Sequence, residues 1–336
     1  MLFLSLIVFL VAVVLTGVIR FYAVSRNVMD IPNQRSSHTA PTPRGGGLAI
    51  VLAFFFASIF LFLNQLLLLS HFLALSSCLL VAFIGFCDDH AHIAARWRFL
   101  IHLLTALSVL FFLHGFPTLL LPGLGLVNLD WFGWILATIL LVWFLNLFNF
   151  MDGTDGIAAS EALFVSSALA GFLFFIDISL FKVTICLAAA SLGFLLWNWP
   201  KASIFMGDVG SGFLGLLLGV IVLMAAQLSP ALLYSGLILF GIFMVDATYT
   251  LLIRFGSGQK WHEAHCSHTY QKAAKRFGHL PVLLACWSIN LCWLLPISAW
   301  VFFYPTFGLL GLLLAYLPLI WLANYFNAGH AQIESL

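Results

Sequence analysis

Apolar runs of about 20 residues dominate the chain, and this feature most limits what it can fold into. Of the 336 residues, 63% are hydrophobic and only 7% are charged, whereas about a quarter of a soluble domain is charged. A run of about 20 apolar residues crosses a hydrocarbon core about 30 Å thick as one helix. The runs do not alternate polar and apolar residues, as the strands of a membrane barrel do. We therefore predict an all-α, polytopic integral membrane protein.

Breaks at polar, proline and glycine residues divide the single predicted transmembrane domain, residues 1–336, into about eleven spans. The N-terminal run lacks a basic segment before it and a small-residue cleavage site, so we interpret it as the first span and not as a signal peptide. The six cysteines form no CxxC pair and lie mostly inside apolar runs, which is typical of small core residues. The predicted spans are 2–22, 45–63, 66–86, 98–115, 129–149, 157–176, 180–198, 210–227, 231–253, 281–303 and 305–325.

The distribution of basic residues predicts the orientation of these spans. The loops that follow odd-numbered spans lie on one side of the membrane, and twelve of the thirteen Lys and Arg fall there or at its edge; only Lys182 falls opposite. An excess of Lys and Arg marks the cytoplasmic side. We therefore predict that these loops are cytoplasmic and that the N-terminus lies outside. The unusual polar stretches, including a large loop at 254–280, all fall on the predicted cytoplasmic side, which places a candidate site on that face.

The polar stretch NLFNFMDGTDGI, residues 146–157, ends the fifth predicted span. An ionised carboxylate at membrane depth costs about 2.5 to 3.5 kcal/mol on insertion scales, so Asn149, Asp152 and Asp155 mark a candidate site. If the helix continued through them, Asn149 and Asp152 would be neighbours at i,i+3, and so would Asp152 and Asp155. Two carboxylates three residues apart suit a metal or phosphate site. The alternative interpretation is an ordinary solvated turn.

Two further aspartate motifs follow the third and seventh spans. In GFCDDHAH, Asp88 and Asp89 are adjacent carboxylates, which push their pKa values apart, so one could bind a metal while the other takes a proton. In FMGDVGSGFLG, Asp208 lies in a glycine-rich turn that enters a helix. Such a turn offers N–H groups to an anion, and its carboxylate can hold Mg²⁺ against phosphate. The alternatives are an interfacial acidic pair and close helix packing at the small glycines.

Basic residues and histidines accompany the aspartates on the same side. His38 and Arg44, in DIPNQRSSHTAPTPRGGG before the second span, suit a diphosphate or a lipid headgroup, although an arginine there is also an ordinary topology signal. His265 and His268, in the large loop, suit phosphate contact or protonation of a leaving group. Neither a cysteine pair nor HExxH accompanies them to indicate zinc. Together the motifs favour Mg²⁺-dependent chemistry on a diphosphate, with a lipid as the other substrate.

Five motifs in this order, DIPNQRSSHTAPTPRGGG, GFCDDHAH, NFMDGTDGIA, FMGDVGSGFLG and HEAHCSHTYQ, resemble those of the polyprenyl-phosphate N-acetylhexosamine-1-phosphate transferases, glycosyltransferase family 4. This superfamily includes the phospho-MurNAc-pentapeptide translocase of peptidoglycan synthesis. The PTPRGGG and HxxHxYQ forms look more like the enzymes that initiate O-antigen or capsule synthesis. The resemblance implies transfer of a sugar 1-phosphate from a UDP-N-acetylhexosamine, such as UDP-GlcNAc or UDP-FucNAc, to undecaprenyl phosphate, with release of UMP.

The resemblance also implies roles for single residues. Asp208 would ligate Mg²⁺, for which Mn²⁺ could substitute, and Asp152 would help to order the metal site. Asp88 or Asp89 would activate the lipid phosphate as the nucleophile. His265 and His268 would contact the diphosphate. His38 stands where the peptidoglycan enzyme has a lysine, so Arg44 could replace that contact. The residues expected to bind substrate are His38, Arg44, Asn149, Asp152 and Asp155.

Several alternatives remain open at this stage. The peptidoglycan translocase is the alternative enzymatic function. A transporter or flippase for a lipid-linked sugar would bind the same headgroup without performing chemistry. A structural subunit of an envelope complex is the third class. The expected partners are the UDP-sugar, undecaprenyl phosphate and membrane lipids, with no nucleic acid. The sequence leaves the donor sugar and the oligomeric state open, a homodimer included, and residues 254–279 are expected to carry donor specificity.

Overall fold

A computed structural model of the chain describes residues 2–32, 40–91, 93–259 and 265–330. Within these ranges the protein is almost entirely helical, which confirms the predicted all-α class. Two short antiparallel hairpins pair β1 (Met29–Asp30) with β2 (Thr42–Pro43) and β3 (Leu119–Leu121) with β4 (Gly125–Val127). The helices are α1 (Leu2–Ser25), α2 (Leu48–Leu63), α3 (Leu69–Ser77), α4 (Leu79–His90), α5 (Ala95–Leu113), α6 (Asp130–Met151), α7 (Ile157–Leu173), α8 (Ile178–Asn198), α9 (Asp208–Leu228), α10 (Pro230–Leu239), α11 (Gly241–Gly256), α12 (Thr269–Phe277), α13 (His279–Ile289), α14 (Leu295–Phe303) and α15 (Gly308–Tyr325).

The apolar helices make this a multi-pass membrane protein. In the described part of the chain, eight helical segments are long and apolar enough to cross a membrane, and the bent pair α10–α11 makes up to nine. The continuous segments include α3 with α4, and α13 with α14 through a π-helical turn, Asn290–Leu294. The shorter apolar helices α2 and α7 have 16 and 17 residues. Each of the eleven predicted spans overlaps one of these segments.

The ninth predicted span, 231–253, is not the continuous helix that its hydropathy suggested. It is broken at Phe240, and the axes of α10 and α11 differ by 68°. The residue after the break is Gly241, where a Cβ atom would lie 3.0 Å from Leu294 Cδ2. Kinks of this size commonly occur at glycine, and here the glycine also permits a close helix contact. Hydropathy alone reveals neither the break in the helix nor the close helix contact at Gly241.

The core of the bundle surrounds α9. This helix is buried along its whole apolar length and packs against α4 and α6. A helix that is apolar on every side belongs inside a bundle. Gly215 lets α6 approach closely, because a Cβ atom there would lie only 2.3 Å from the Phe144 carbonyl oxygen. Small residues of this kind allow helix backbones to meet in membrane proteins. The buried position of α9 fixes where its N-terminal residue, Asp208, lies.

The polar motifs gather at one end of the bundle, which we call the motif end. It consists of the ends of α4 and α6, the starts of α7 and α9, and the segment before α12. Asp89 reaches the first turn of α9 there, and the Tyr270 hydroxyl donates to the Phe150 carbonyl at 2.9 Å. At the other end Gln227 Nε2 donates to the Leu113 carbonyl at 2.6 Å, beside the β3–β4 hairpin. The helix directions therefore bring distant motifs together.

Candidate active site

Arg98 joins two of the predicted catalytic carboxylates. Its Nη1 atom lies 2.7 Å from Asp88 Oδ2 and 3.2 Å from Asp208 Oδ2. Asp88 lies in the last turn of α4, and its other oxygen accepts the Ile93 backbone N–H at 2.7 Å. The Asp208 side chain is 41% exposed, whereas that of Asp88 is 9% exposed. Asp208 is thus the carboxylate that faces outward, with one cationic group already shared between the pair.

Asp89 lies behind this pair and holds the start of α9. Its two carboxylate oxygens accept the backbone N–H groups of Asp208 and Val209, at 3.1 and 3.2 Å. These N–H groups are among those that a helix start leaves unpaired, and a carboxylate there also benefits from the helix dipole. Arg44 Nη2 donates to the Asp89 carbonyl at 2.7 Å. With Asp89 only 4% exposed, this geometry favours a positioning role for it.

Glycine at position 207 makes the close approach of Asp89 to α9 possible. Gly207 has a φ of 76°, which L-residues with side chains rarely adopt. A Cβ atom there would lie 2.6 Å from Asp89 Oδ2 and 2.8 Å from the Gly45 nitrogen. The opposite face is equally tight, because a Cβ atom at Gly85 would lie 2.4 Å from the Asp208 carbonyl oxygen. The glycine-rich motif therefore serves close packing and positioning of Asp208 together.

Asn149 joins the same group from the last turns of α6. It accepts a short hydrogen bond from the Ser211 hydroxyl of α9. A small crevice is lined by Arg98, His102, Asn149 and Asp208, among others. The predicted proximity of Asn149 to the carboxylate motifs thus holds in space, across residues far apart in sequence.

The turn that follows α6 separates the two aspartates that a continuous helix would have placed on one face. The helix ends at Met151, Asp152 is its C-terminal cap, and α7 begins at Ile157. Burial, and then the charges of Asp208 and Asp89, raise the pKa of Asp152 well above its ordinary value. Asp152 is therefore electrostatically part of the aspartate cluster. The i,i+3 geometry expected for these residues is not formed, because the helix ends first.

Asp155 points to different partners. Its Oδ2 atom lies 3.2 Å from His279 Nδ1, at the start of α13, and accepts the Ala202 backbone N–H at 3.2 Å. Its side chain is only 14% exposed. These contacts connect the turn after α6 to α13 and to the loop before α9. A nucleotide-binding role for Asp155 stays a prediction, and the contacts favour positioning.

The histidine segment, residues 265–270, is anchored by Asp246 in α11. Asp246 accepts the backbone N–H groups of Thr269 and Tyr270, each at 2.9 Å, and lies 3.4 Å from His268 Nδ1. His268 is 2% exposed, and its ring stacks on that of His265 with centroids 4.9 Å apart. The structure therefore buries His268 as a packing group. A direct contact of His268 with a diphosphate stays a prediction.

His265 remains partly accessible. Its Nδ1 atom lies 3.0 Å from the Ser267 hydroxyl. Burial, with the charges of His268 and Arg254, lowers the pKa of His265 to about 3. The imidazole is therefore neutral near pH 7 and suits a hydrogen-bonding contact better than proton donation. His38, predicted to bind substrate, lies outside the described residues.

The donor set fits a divalent cation that takes some of its ligands from a substrate. Mg²⁺ in phosphoryl-transfer sites commonly uses one or two carboxylates together with water and phosphate oxygens. Asp88 and Asp208 already converge on the cationic Arg98. Within the described ranges, no three His, Cys, Asp or Glu side chains form a closed metal cage. Asp208 and Asp152 remain the candidate ligands, with Mg²⁺ or Mn²⁺ as the candidate ion.

Sequence reasoning alone missed several residues that organise the site. Asp246 and His279 were not predicted as members of it, and Arg98 was expected only to influence donor recognition from the loop after the aspartate pair. Asp246 had a usable signal, since a single aspartate inside an apolar span is expensive unless it has a partner. His279 had none, because its partner lies 124 positions away.

The chain was compared with known proteins. Residues 71–226 match the family Glycosyl transferase family 4. The decaprenyl-phosphate N-acetylglucosaminephosphotransferase of Mycolicibacterium smegmatis is 35% identical over 225 residues, 61% of this chain and 55% of that protein. A probable undecaprenyl-phosphate N-acetylglucosaminyl 1-phosphate transferase of Bacillus subtilis is 27% identical over 281 residues, covering 78% of this chain and 74% of that protein.

A phospho-N-acetylmuramoyl-pentapeptide-transferase of Lacticaseibacillus paracasei is 32% identical over 230 residues, covering 64% of this chain and 70% of that protein. The chain spans little more than half the length of the mycobacterial relative. The matched region 71–226 includes Asp88, Asn149 and Asp208, which the fold joins at the motif end. The chain therefore belongs to glycosyl transferase family 4, in the superfamily of polyprenyl-phosphate N-acetylhexosamine-1-phosphate transferases.

Proposed function

We propose that this protein transfers an N-acetylhexosamine 1-phosphate from a UDP-sugar to undecaprenyl phosphate and releases UMP. The donor is UDP-GlcNAc or a related UDP-N-acetylhexosamine such as UDP-FucNAc. The reaction takes place at the cytoplasmic face of the bacterial inner membrane, where it initiates O-antigen or another envelope polysaccharide, as in lipopolysaccharide biosynthesis. The activities after which the mycobacterial and Bacillus relatives are named support the acceptor class and the transferred group.

One observation carries the proposal: two carboxylates share a cationic group beside a small crevice. Asp88 and Asp208 both contact Arg98, and Asn149 lines the same crevice. Phosphoryl transfer needs positioning and charge stabilisation more than covalent help from the protein. Bound Mg²⁺, held by Asp208 and Asp152, would supply positive charge against the diphosphate. The guanidinium of Arg98 can itself pair with a phosphate oxygen, as arginine commonly does.

An apolar pocket beside the histidine segment offers a binding surface for part of the lipid acceptor. It has a volume of about 370 Å³ and is lined almost entirely by apolar groups of α11, α12, α13 and α15. Asp246 and Tyr270 belong to its wall, and the Tyr270 hydroxyl reaches the end of α6. A prenyl chain in this pocket would place its phosphate next to the aspartate cluster. Apolar lining with a few polar groups at one side is typical of such sites.

We propose that the reaction is a direct displacement at phosphorus. An oxygen of the acceptor phosphate attacks the sugar-bearing β-phosphorus of the donor. The bond from that phosphorus to the bridging oxygen breaks, and UMP leaves with the oxygen and its electron pair. We assign to Asp88 the task of receiving any proton left on the acceptor phosphate, because it shares Arg98 with the partly exposed Asp208, whereas the buried Asp89 holds the start of α9. His265, neutral near pH 7, would donate a hydrogen bond to the diphosphate.

The test is a donor panel with purified protein, undecaprenyl phosphate, Mg²⁺ and radiolabelled UDP-sugars. UDP-GlcNAc, UDP-GalNAc, UDP-FucNAc, UDP-QuiNAc and UDP-MurNAc-pentapeptide are compared for UMP release and for label in the lipid. We expect one N-acetylhexosamine donor to react. Asp208→Asn should lower kcat by about 100-fold or more, as loss of a charge-stabilising group does. Asp130→Asn, an exposed aspartate at the start of α6, is the matched control and should be neutral.

Peptidoglycan synthesis is the second candidate function. The relative that is 32% identical over 230 residues is named a phospho-N-acetylmuramoyl-pentapeptide-transferase. The two functions differ in donor and share the acceptor chemistry. Reaction with UDP-MurNAc-pentapeptide alone would establish the peptidoglycan function and exclude ours.

Two other outcomes would also overturn parts of the proposal. A labelled phosphosugar adduct on the protein, formed with donor alone, would replace direct attack by a covalent aspartyl intermediate. If no donor releases UMP while the protein moves a lipid-linked sugar across vesicles, the protein is a transporter. Exchange of Mg²⁺ for Mn²⁺ should retain activity, and removal of both with EDTA should abolish it.

A further inference from the structure

A polar pair is buried between α7 and the π-helical turn after α13. Asn290 Nδ2 donates to Glu161 Oε2 at 2.8 Å. Each residue is only 2% exposed. Glu161 lies six positions after Asp155, and Asn290 begins the π-helical turn. Turns of this kind are uncommon and frequently occur at functional positions. The aspartate and histidine motifs do not contain either residue.

The side-chain oxygen atoms that do not take part in this hydrogen bond indicate the protonation state of the pair. Glu161 Oε1 and Asn290 Oδ1 are both buried, and neither has a hydrogen-bond partner among the described residues. In the same part of the chain Glu161 forms no ion pair with Lys, Arg or His. A buried carboxylate without a cation is strongly disfavoured, and so is a buried acceptor without a donor. An ionised Glu161 would combine both penalties.

A proton on the Glu161 side chain removes both of these penalties. A carboxylic acid donates through its O–H and accepts through its carbonyl oxygen, and a primary amide donates through N–H and accepts through its own oxygen. We infer that Glu161 is a neutral carboxylic acid whose Oε1–H donates to Asn290 Oδ1, which closes a two-hydrogen-bond ring with Asn290, and that this ring is a positioning device for the site. No other donor is required.

The ring is one of several contacts that hold α13 against α7 and the turn before it. At the start of α13, His279 Nδ1 lies 3.2 Å from Asp155 Oδ2. Four residues later, Leu283 packs on the turn before α7, where a Cβ atom at Gly156 would lie 3.1 Å from its Cδ2 atom. The Glu161–Asn290 pair follows at the far end. Together the contacts hold α13 along α7 from the aspartate turn inward.

The position of α13 is coupled to that of the histidine segment, which Asp246 of α11 also anchors. Helix α12 precedes α13 and is joined to it through the single residue Gly278. Tyr270, in the first turn of α12, donates to the end of α6. A shift of α13 would therefore displace the histidine segment from the aspartate turn. A displacement of about 1 Å can cost about 100-fold in rate, even from changes far from the reacting atoms.

The charge state is tested by infrared spectroscopy on the purified full-length protein. Glutamine reproduces the neutral acid, because its amide donates and accepts at the same two places. The spectrum of the wild type minus that of Glu161→Gln should show the carbonyl band of a protonated carboxylic acid. A carboxylate band in its place would overturn the inference. Failure of Glu161→Gln to fold would overturn it too, since this variant retains both hydrogen bonds.

The positioning role rests on the proposed function, because it is measured with the transferase assay. We expect Glu161→Gln to keep kcat within about twofold. The double variant Glu161→Leu with Asn290→Leu removes both polar partners and should keep its thermal stability, since paired apolar replacements are often neutral. Its kcat should still fall by about 10- to 100-fold, with little change in donor KM. Unchanged kcat in the double variant would disprove the positioning role.

Failure of the proposed function and failure of the Glu161 inference would give different results. If the wild type releases UMP from no donor, the proposed function is wrong, and the infrared band still decides the charge of Glu161. If the wild type is active and Glu161→Gln is as slow as the double Leu variant, the neutral ring is wrong although the function stands.

Discussion

Arg98 shows at the residue scale how the site balances its charges. It contacts two carboxylates that would otherwise repel each other, Asp88 and Asp208. A buried or half-buried carboxylate pair needs a cation or a proton nearby. In the described protein the guanidinium has that role, and in the proposed reaction a divalent ion and the donor diphosphate would share it. Arg98 therefore stabilises the carboxylate pair when no metal is bound, and it contributes positive charge to the proposed reaction when the metal is bound.

Replacing Arg98 with Met should destabilise the protein most when divalent ions are absent. Its hydrogen bonds to charged groups contribute about 1 to 2 kcal/mol after allowance for its partial exposure. Thermal unfolding is measured in EDTA and in Mg²⁺, and Mg²⁺ should restore more stability to the variant than to the wild type. Arg96→Met removes an exposed neighbouring cation and should change stability by less than about 0.5 kcal/mol. Equal loss in both variants would contradict the shared-cation assignment.

His265 gives a prediction for pH. Its pKa is about 3 in the folded protein and about 6.5 in an unfolded chain. Between these values the unfolded state binds the proton and the folded state does not, so stability falls as pH falls below about 6.5. His265→Asn should make the loss of thermal stability between pH 6.5 and 5 shallower. The control His114→Asn changes an exposed histidine with a φ of 59°, which asparagine tolerates. A slope that is unchanged in His265→Asn would refute the assignment.

At the scale of the element, the start of α9 is the most constrained feature. Its first N–H groups are capped by Asp89, a side chain from another helix, because Gly207 brings the two within hydrogen-bonding distance. Long-range capping of this kind ties the direction of α9 to the end of α4. This connection between α4 and α9 therefore fixes the position of Asp208.

Gly207→Ala should therefore damage both stability and activity. The new Cβ atom would lie 2.6 Å from Asp89 Oδ2 at a φ of 76°, and strain of this kind typically costs about 1 to 3 kcal/mol. We expect a lower unfolding temperature and a reduced kcat. Gly171→Ala in α7 is the matched control, because nothing lies within 4 Å of its new Cβ atom, and it should be neutral or stabilising by up to about 1 kcal/mol. Wild-type behaviour of Gly207→Ala would contradict this account of the turn.

At the scale of the whole molecule, the two ends of the bundle differ in chemistry. The motif end carries the charged cluster, whereas the β3–β4 hairpin at the other end exposes Leu124 and Leu126. Lys and Arg concentrate in loops at the motif end, and such an excess predicts the cytoplasmic side.

Cysteine labelling in cells tests this orientation. In a variant without native cysteines, Ser257→Cys lies after α11 at the motif end and Leu124→Cys lies in the hairpin at the other end. A membrane-impermeant thiol reagent applied outside should label only Leu124→Cys. The same reagent applied to the outer surface of inverted vesicles, which is the cytoplasmic face, should label only Ser257→Cys. The opposite pattern would reverse the orientation, and labelling of both from one side would disprove the arrangement of the spans.

The positions of the helices followed from the sequence, because a helix in lipid must satisfy its backbone hydrogen bonds within itself. That requirement is local, so the apolar runs located all eleven apolar segments. The motifs likewise identified Asp88, Asp208 and Asn149, since polar groups among apolar residues are visible one at a time. The break at Phe240 and the end of α6 at Met151 escaped, because both depend on contacts with other helices.

The sequence by itself determined that this is a helical membrane protein with an acidic cluster. Only the tertiary structure decided which acids face outward and which hold the structure together. The Asp208 side chain is partly exposed, Asp89 caps α9, Asp155 contacts His279, and Glu161 accepts a hydrogen bond from Asn290. Identical carboxylates acquire different roles because their partners come from distant helices, and burial makes each partner decisive.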